Sequence, residues 1–235
     1  MVKYNVKIHE FSDRYKLTNH LATRISDLLL KSIESRDRAS LVVSGGTTPV
    51  QLFEVLADRD IPWSKVWITL ADERWVDTAS RDSNERLVRE HLLKKKAGKA
   101  KFVGLFTGST GAENGERECN LRISQIGLPF TVLVLGMGKD GHTASIFPGS
   151  KGLEKAVDMD SKSYCVAIKP GDSDYERMTL TLPTLLRSEN IFLHITGPEK
   201  KEALDKALKG KNLAAMPIRY IFEKSTSPVE IYWAP

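Results

Sequence analysis

The chain has 235 residues, 41% of them hydrophobic and 28% charged, which is enough apolar surface to offset the entropy lost on folding and so excludes a disordered chain. A net charge of +5 suits an anionic partner, and no apolar run approaches the length that crosses a bilayer, which excludes an embedded protein. Two isolated cysteines, Cys119 and Cys165, lack the spacing of a zinc or redox motif and suit packing in a reducing, cytoplasmic compartment.

In chain order, the first eleven residues alternate apolar and polar like an opening strand. Apolar runs rich in β-branched residues then predict strands over 40–44, 66–70, 130–135, 164–168, 191–196 and 229–233. Helical patterns lie between them, over 13–35, 49–57, 83–95, 112–126 and 198–208, several opened by Ser or Pro. Strand and helix alternate, so the expected fold is a single α/β domain over residues 1–235, with a mainly parallel, Rossmann-like sheet and helices on both faces. The Gly108–Gly115 segment is turn chemistry and reads as a mobile surface loop. Lys94, Lys95, Lys96, Lys99 and Lys101 crowd a helix end, where they complement its dipole and stay solvated; a nucleic-acid groove would also want stacking aromatics, so nucleic acid is not an expected partner.

In such sheets ligands bind beyond the carboxyl ends of the strands, and three strand-to-helix loops carry chemistry there. The first runs Ser44-Gly45-Gly46-Thr47-Thr48-Pro49. Its glycines let the backbone approach a ligand, and the free N–H groups of the helix start suit a phosphate; a tight capped turn is the competing reading. The lysine of a Walker A loop is missing, so a nucleoside triphosphate is not implied. The second ends a strand in Asp72-Glu73-Arg74, where Arg74 could hold a carboxylate or phosphate and Asp72 a sugar hydroxyl, against chance surface placement.

The third contains Gly136-x-Gly138-x-x-Gly141 after a strand, which formally matches a dinucleotide fingerprint. Phe147-Pro148-Gly149 interrupts the helix that fingerprint needs, and Asp158 follows no strand, so the match is rejected. The loop offers Asp140 beside His142: an imidazole that can take a proton from water, and a carboxylate that can orient it. Downstream, Arg177 and Lys200, the latter at a helix start, are loop cations that could complete a phosphate site or simply be solvated. No group of side chains has metal-ligand spacing, and Ser145 lacks the G-x-S-x-G setting of a nucleophile.

Taken together, SGGTTP, LADERWV followed by Ser83-Asn84, LGMGKDGHTASIFPG, RMTLTLP and TGPEKKEAL resemble the 6-phosphogluconolactonases in order and approximate spacing across most of the chain. The resemblance implies hydrolysis of a phosphosugar lactone without metal or organic cofactor. His142 would be the base, Asp140 its orienting partner and Arg74 an oxyanion stabiliser. Ser44, Gly45, Gly46, Thr47, Asp72, Arg177 and Lys200 would bind the substrate. Glucosamine-6-phosphate deaminases are similar in fold and share the Gly-Gly-Thr loop and DGH motif, but their loop carries a glutamate where this chain has Phe147. A non-catalytic sugar-phosphate sensor is the remaining alternative, and the sequence is silent on oligomeric state.

Overall fold

The computed structural model describes residues 4–171 and 173–235. Strand β1 (Val6–Glu10) leads to helix α1 (Arg14–Arg36), then β2 (Ala39–Val43), α2 (Val50–Ala57), β3 (Val66–Leu70), β4 (Asp72–Arg74) and α3 (Asn84–His91). There follow β5 (Lys101–Val103), α4 (Ala112–Ser124), β6 (Phe130–Leu135), α5 (Leu153–Val157), β7 (Cys165–Ile168) and β8 (Arg177–Leu180). The chain continues through α6 (Leu182–Leu186), β9 (Ser188–Thr196), α7 (Pro198–Lys209), α8 (Ile218–Lys224) and β10 (Val229–Ala234).

Seven strands form one sheet in the order β1-β10-β9-β6-β2-β3-β5, and every pairing in it is parallel. Every residue of β2 and β6 is buried, as a strand covered on both faces requires, and this is why both read as continuous apolar runs. From β2 the chain steps outward through β3 to β5, whereas β6 is followed on its other side by β9 and then β10. The order in which strands are added therefore reverses between β2 and β6, the place where parallel α/β sheets open a crevice beyond their carboxyl ends.

Helix boundaries follow local chemistry. Asp13 starts α1 by accepting the Lys16 N–H at 2.8 Å, and Asp37 ends it in the left-handed conformation with its N–H on the Ile33 carbonyl. Ser83 caps α3, accepting from the Arg86 N–H at 3.2 Å.

Four expectations change. The strand over 164–168 forms, as β7, but it joins β4 and β8 in a separate three-stranded antiparallel sheet; an apolar run specifies a strand and not its partners. Helix α3 ends at His91, short of the expected Lys95, and the lysines after it are engaged: Lys95 with Asp58 at 3.1 Å, Lys94 with Glu54 at 3.6 Å, and Lys101 over the Trp67 ring. The Gly108–Gly115 segment is a loop only as far as Gly111, after which α4 begins. It does not stand free, because Trp75 Nε1 donates to the Ser109 carbonyl at 2.8 Å and the Ala112 N–H donates to Glu176 Oε2 at 2.8 Å. Finally, Arg177 belongs to a strand, β8, and not to a loop.

Candidate active site

The crevice at the β2/β6 reversal is a pocket of about 280 Å³. Nine of the ten predicted site residues line it: Ser44, Gly45, Gly46 and Thr47 after β2, Asp72 and Arg74 on β4, His142 after β6, Arg177 on β8 and Lys200 on α7. Asp140 is the tenth and meets the pocket through His142, whose Nδ1 lies 2.6 Å from Asp140 Oδ1.

The loop after β6 is built to bring that pair together. The Gly138 N–H donates to the His142 carbonyl at 2.8 Å and the Gly141 N–H to the Gly138 carbonyl at 3.0 Å, folding 138–142 into a tight turn. A Cβ on Gly138 would fall 2.1 Å from His142 Nδ1 and 2.3 Å from Asp140 Oδ1, so only glycine leaves room for the two side chains to touch. Burial by itself would raise the Asp140 carboxyl, but its hydrogen bond to His142 and the charge there outweigh this and hold it below the usual range. An ionised Asp140 accepts a hydrogen bond from Nδ1–H, which leaves the Nε2 lone pair free. Phe147 packs on the His142 ring with centroids 4.2 Å apart, so an aromatic stands where a deaminase-type glutamate would be.

On the opposite wall, the turn after β2 presents its N–H groups to the crevice. Among the described residues, those of Gly45, Gly46 and Thr47 have no protein acceptor, and α2 begins just beyond; this is an anion-binding arrangement. Gly45 must be glycine because the Asn84 amide occupies the space its Cβ would need, at 1.8 Å. Asn84 lines the pocket too and donates to the Asp72 carbonyl at 2.9 Å.

The small antiparallel sheet carries the cations. Arg74 and Arg177 face each other in register, an arrangement of like charges that costs stability unless an anion sits between them. Desolvation and the neighbouring Arg74 both lower the Arg177 guanidinium from its ordinary value, its Nε is buried with no partner among the described residues, and the group stacks over Phe147. Arg74 is steadied by the Asp82 carbonyl at 2.5 Å. Lys200, lowered by burial against the opposing pull of Asp140, donates to the Met137 carbonyl at 2.7 Å.

Three contributors escaped the sequence reading. Ser145 donates to Asp72 Oδ2 at 2.6 Å and so aims that carboxylate. Glu73, fully buried, accepts the N–H groups of Arg74, Asn84 and Glu85 at 2.7 Å each and the Ser83 hydroxyl at 3.1 Å, tying β4 to the start of α3. Burial nonetheless pushes its carboxyl up to about 7. His194, on β9, is also part of the lining. Its position inside an apolar strand gave no signal. Among the described residues, no group of three or more His, Cys, Asp or Glu side chains could hold a metal ion, and no helix is long and apolar enough to cross a membrane.

A parallel sheet whose strand order reverses beside a hydrogen-bonded Asp–His pair and a turn of unpaired N–H groups has the architecture of an α/β enzyme. The chain belongs to the Glucosamine-6-phosphate isomerases/6-phosphogluconolactonase family, whose profile matches residues 12–233. It is 40% identical to a 6-phosphogluconolactonase of Rhizobium meliloti, over 98% of this chain and 100% of that protein. It is 38% identical to a 6-phosphogluconolactonase of Pseudomonas putida, over 98% of this chain and 93% of the other. The crystal structure of a 6-phosphogluconolactonase from Shewanella baltica superposes with a TM-score of 0.96 at 41% identity, covering 99% of this chain and 100% of that one.

Proposed function

We propose that the chain hydrolyses 6-phospho-D-glucono-1,5-lactone to 6-phospho-D-gluconate, the lactone-opening step of the oxidative pentose phosphate pathway, with His142 as general base. The observation that carries this is the 2.6 Å contact between His142 Nδ1 and Asp140 on the wall of a pocket that also holds two opposed arginines. With Nδ1 committed to Asp140, Nε2 takes a proton from water as the resulting hydroxide attacks C1. The tetrahedral oxyanion is stabilised by Arg74, the bond from C1 to the ring oxygen breaks, and the imidazolium returns its proton to the departing alkoxide.

The phosphate docks on Gly45, Gly46 and Thr47, with Ser44 beside them and Arg177 and Lys200 as counter-charges, while Asp72, held by Ser145, takes a sugar hydroxyl. Such remote binding fixes C1 against the base. One continuous cluster of buried apolar residues spans both sheets, which supports one domain acting as one catalytic unit. Two buried free thiols suit a cytoplasmic location. The test is acid release from freshly prepared lactone, followed at constant pH and corrected for spontaneous hydrolysis. Release no faster than the uncatalysed rate would refute the reading.

A further inference from the structure

His194 is a polar side chain on an interior strand, only 4% exposed. Its Nδ1 is buried and has no partner among the described residues, a state that is costly for a polar atom. Burial lowers the imidazole to about 4, so near neutrality it is uncharged and carries one ring proton. A buried donor without an acceptor is rarer than a buried acceptor without a donor. The favoured tautomer therefore keeps the proton off Nδ1 and leaves Nε2–H as the ring's donor.

Its place in the fold says what that donor is for. Leu135 of β6 pairs with Leu193 of β9, so Gly136 and His194 stand abreast one step further on, at the floor of the pocket. A Cβ on Gly136 would meet nothing within 4 Å, so there is open space beside the ring. Around that space are Thr48 and Pro49 at the start of α2 and Lys200 in the first turn of α7. Both are elements that favour negative charge. Ser44, at the end of β2, adds a second buried polar atom, its hydroxyl oxygen, without a partner among the described residues.

We infer that His194 is a substrate-binding residue that donates a hydrogen bond from Nε2–H to the phosphate end of the sugar. This role takes the substrate's identity from the lactonase reading but needs only a phosphate group to be tested. Wild-type protein labelled with ¹⁵N in its histidine rings, titrated with inorganic phosphate and with 6-phosphogluconate, should show His194 as the Nε2–H tautomer, with a ring resonance that shifts as either ligand saturates. His194→Phe should raise KM for the phosphorylated lactone roughly tenfold, with kcat falling by less, and leave KM for unphosphorylated glucono-1,5-lactone unchanged. His194→Gln, whose amide keeps an N–H donor, should recover part of that KM.

A His194 resonance unmoved by both ligands, or a KM that rises equally on both lactones, would overturn the role. Should His194→Phe not fold, the wild-type titration decides alone. A resonance that responds to phosphate in a protein without lactonase activity would sustain the binding role and sink the lactonase reading. Lactonase activity beside an unresponsive His194 would do the reverse.

Discussion

Two strand ends meet at the pocket with carboxylates in opposite situations. At the 72–74 corner every side chain is engaged by protein: Ser145 holds Asp72, four donors converge on Glu73, and a backbone carbonyl steadies Arg74. In the 138–142 turn, Asp140 hydrogen-bonds, among the described residues, with His142 alone, and both side chains remain partly open to solvent. The difference teaches how a rigid frame and a reactive pair divide the work. The corner's polar groups fix its geometry, whereas the turn leaves a lone pair of the proposed base open to the pocket.

That division can be broken at either end. The largest effect is expected in the turn: His142→Asn should lower kcat/KM by about 100-fold or more while the melting temperature stays near that of the parent. Lactonase turnover equal to wild type, measured against the spontaneous background, would remove His142 from its role. Next comes Arg177→Ala, which removes a charge-assisted contact of about 1.5–3 kcal/mol. Steady-state kinetics should show a roughly 10- to 100-fold loss on the phosphorylated lactone and little change on the unphosphorylated one; equal losses on both would place the phosphate elsewhere.

At the corner the expected loss is in stability. Glu73→Gln turns one acceptor oxygen into a donor facing N–H or O–H groups, so denaturant unfolding should show a deficit of about 1–3 kcal/mol. A midpoint unchanged from wild type would mean that Glu73 does not hold β4 to α3. The smallest effect should appear in wild-type stability against pH. Burial raises the Glu73 carboxyl from 4.5 to about 7, so its contribution is present below about 4.5 and is lost as pH rises towards 7. Burial lowers His194 from 6.5 to about 4, so its contribution is present above about 6.5 and is lost as pH falls towards 4. The two oppose each other across the shared interval. Thermal melts of Glu73→Gln between pH 4.5 and 6.5 should therefore fall more steeply towards acid than those of the parent, and parallel profiles would refute the opposition.

Much of the fold is legible in the sequence. Val66–Leu70 and Phe130–Leu135 form strands over their expected ranges, because a five- or six-residue β-branched run between turn signals has few other uses. β4, β5 and β8 have only three or four residues each, too few to show a period, so neither the edge strand β5 of the large sheet nor the second sheet that β4 and β8 build with β7 is legible in the sequence. The site loops were visible because glycine and charge at strand ends are unusual. What stood behind them was not. The bond from Ser145 to Asp72 joins residues 73 positions apart, and the Asn84 amide fills the hollow left by Gly45; nothing local in the sequence marks either.

The placement of β10 carries a kinetic consequence. It lies between β1 and β9, and its pairing of Val6 with Val229 joins distant stretches of chain. Until β10 docks, β9 has a bare edge on the side away from β6, and the floor that holds His194 is unfinished. Closing so long a loop costs entropy before any contact repays it. Refolding should therefore restore helical signal well before the pocket can bind phosphate, and the species in between exposes an apolar strand edge that other chains could join.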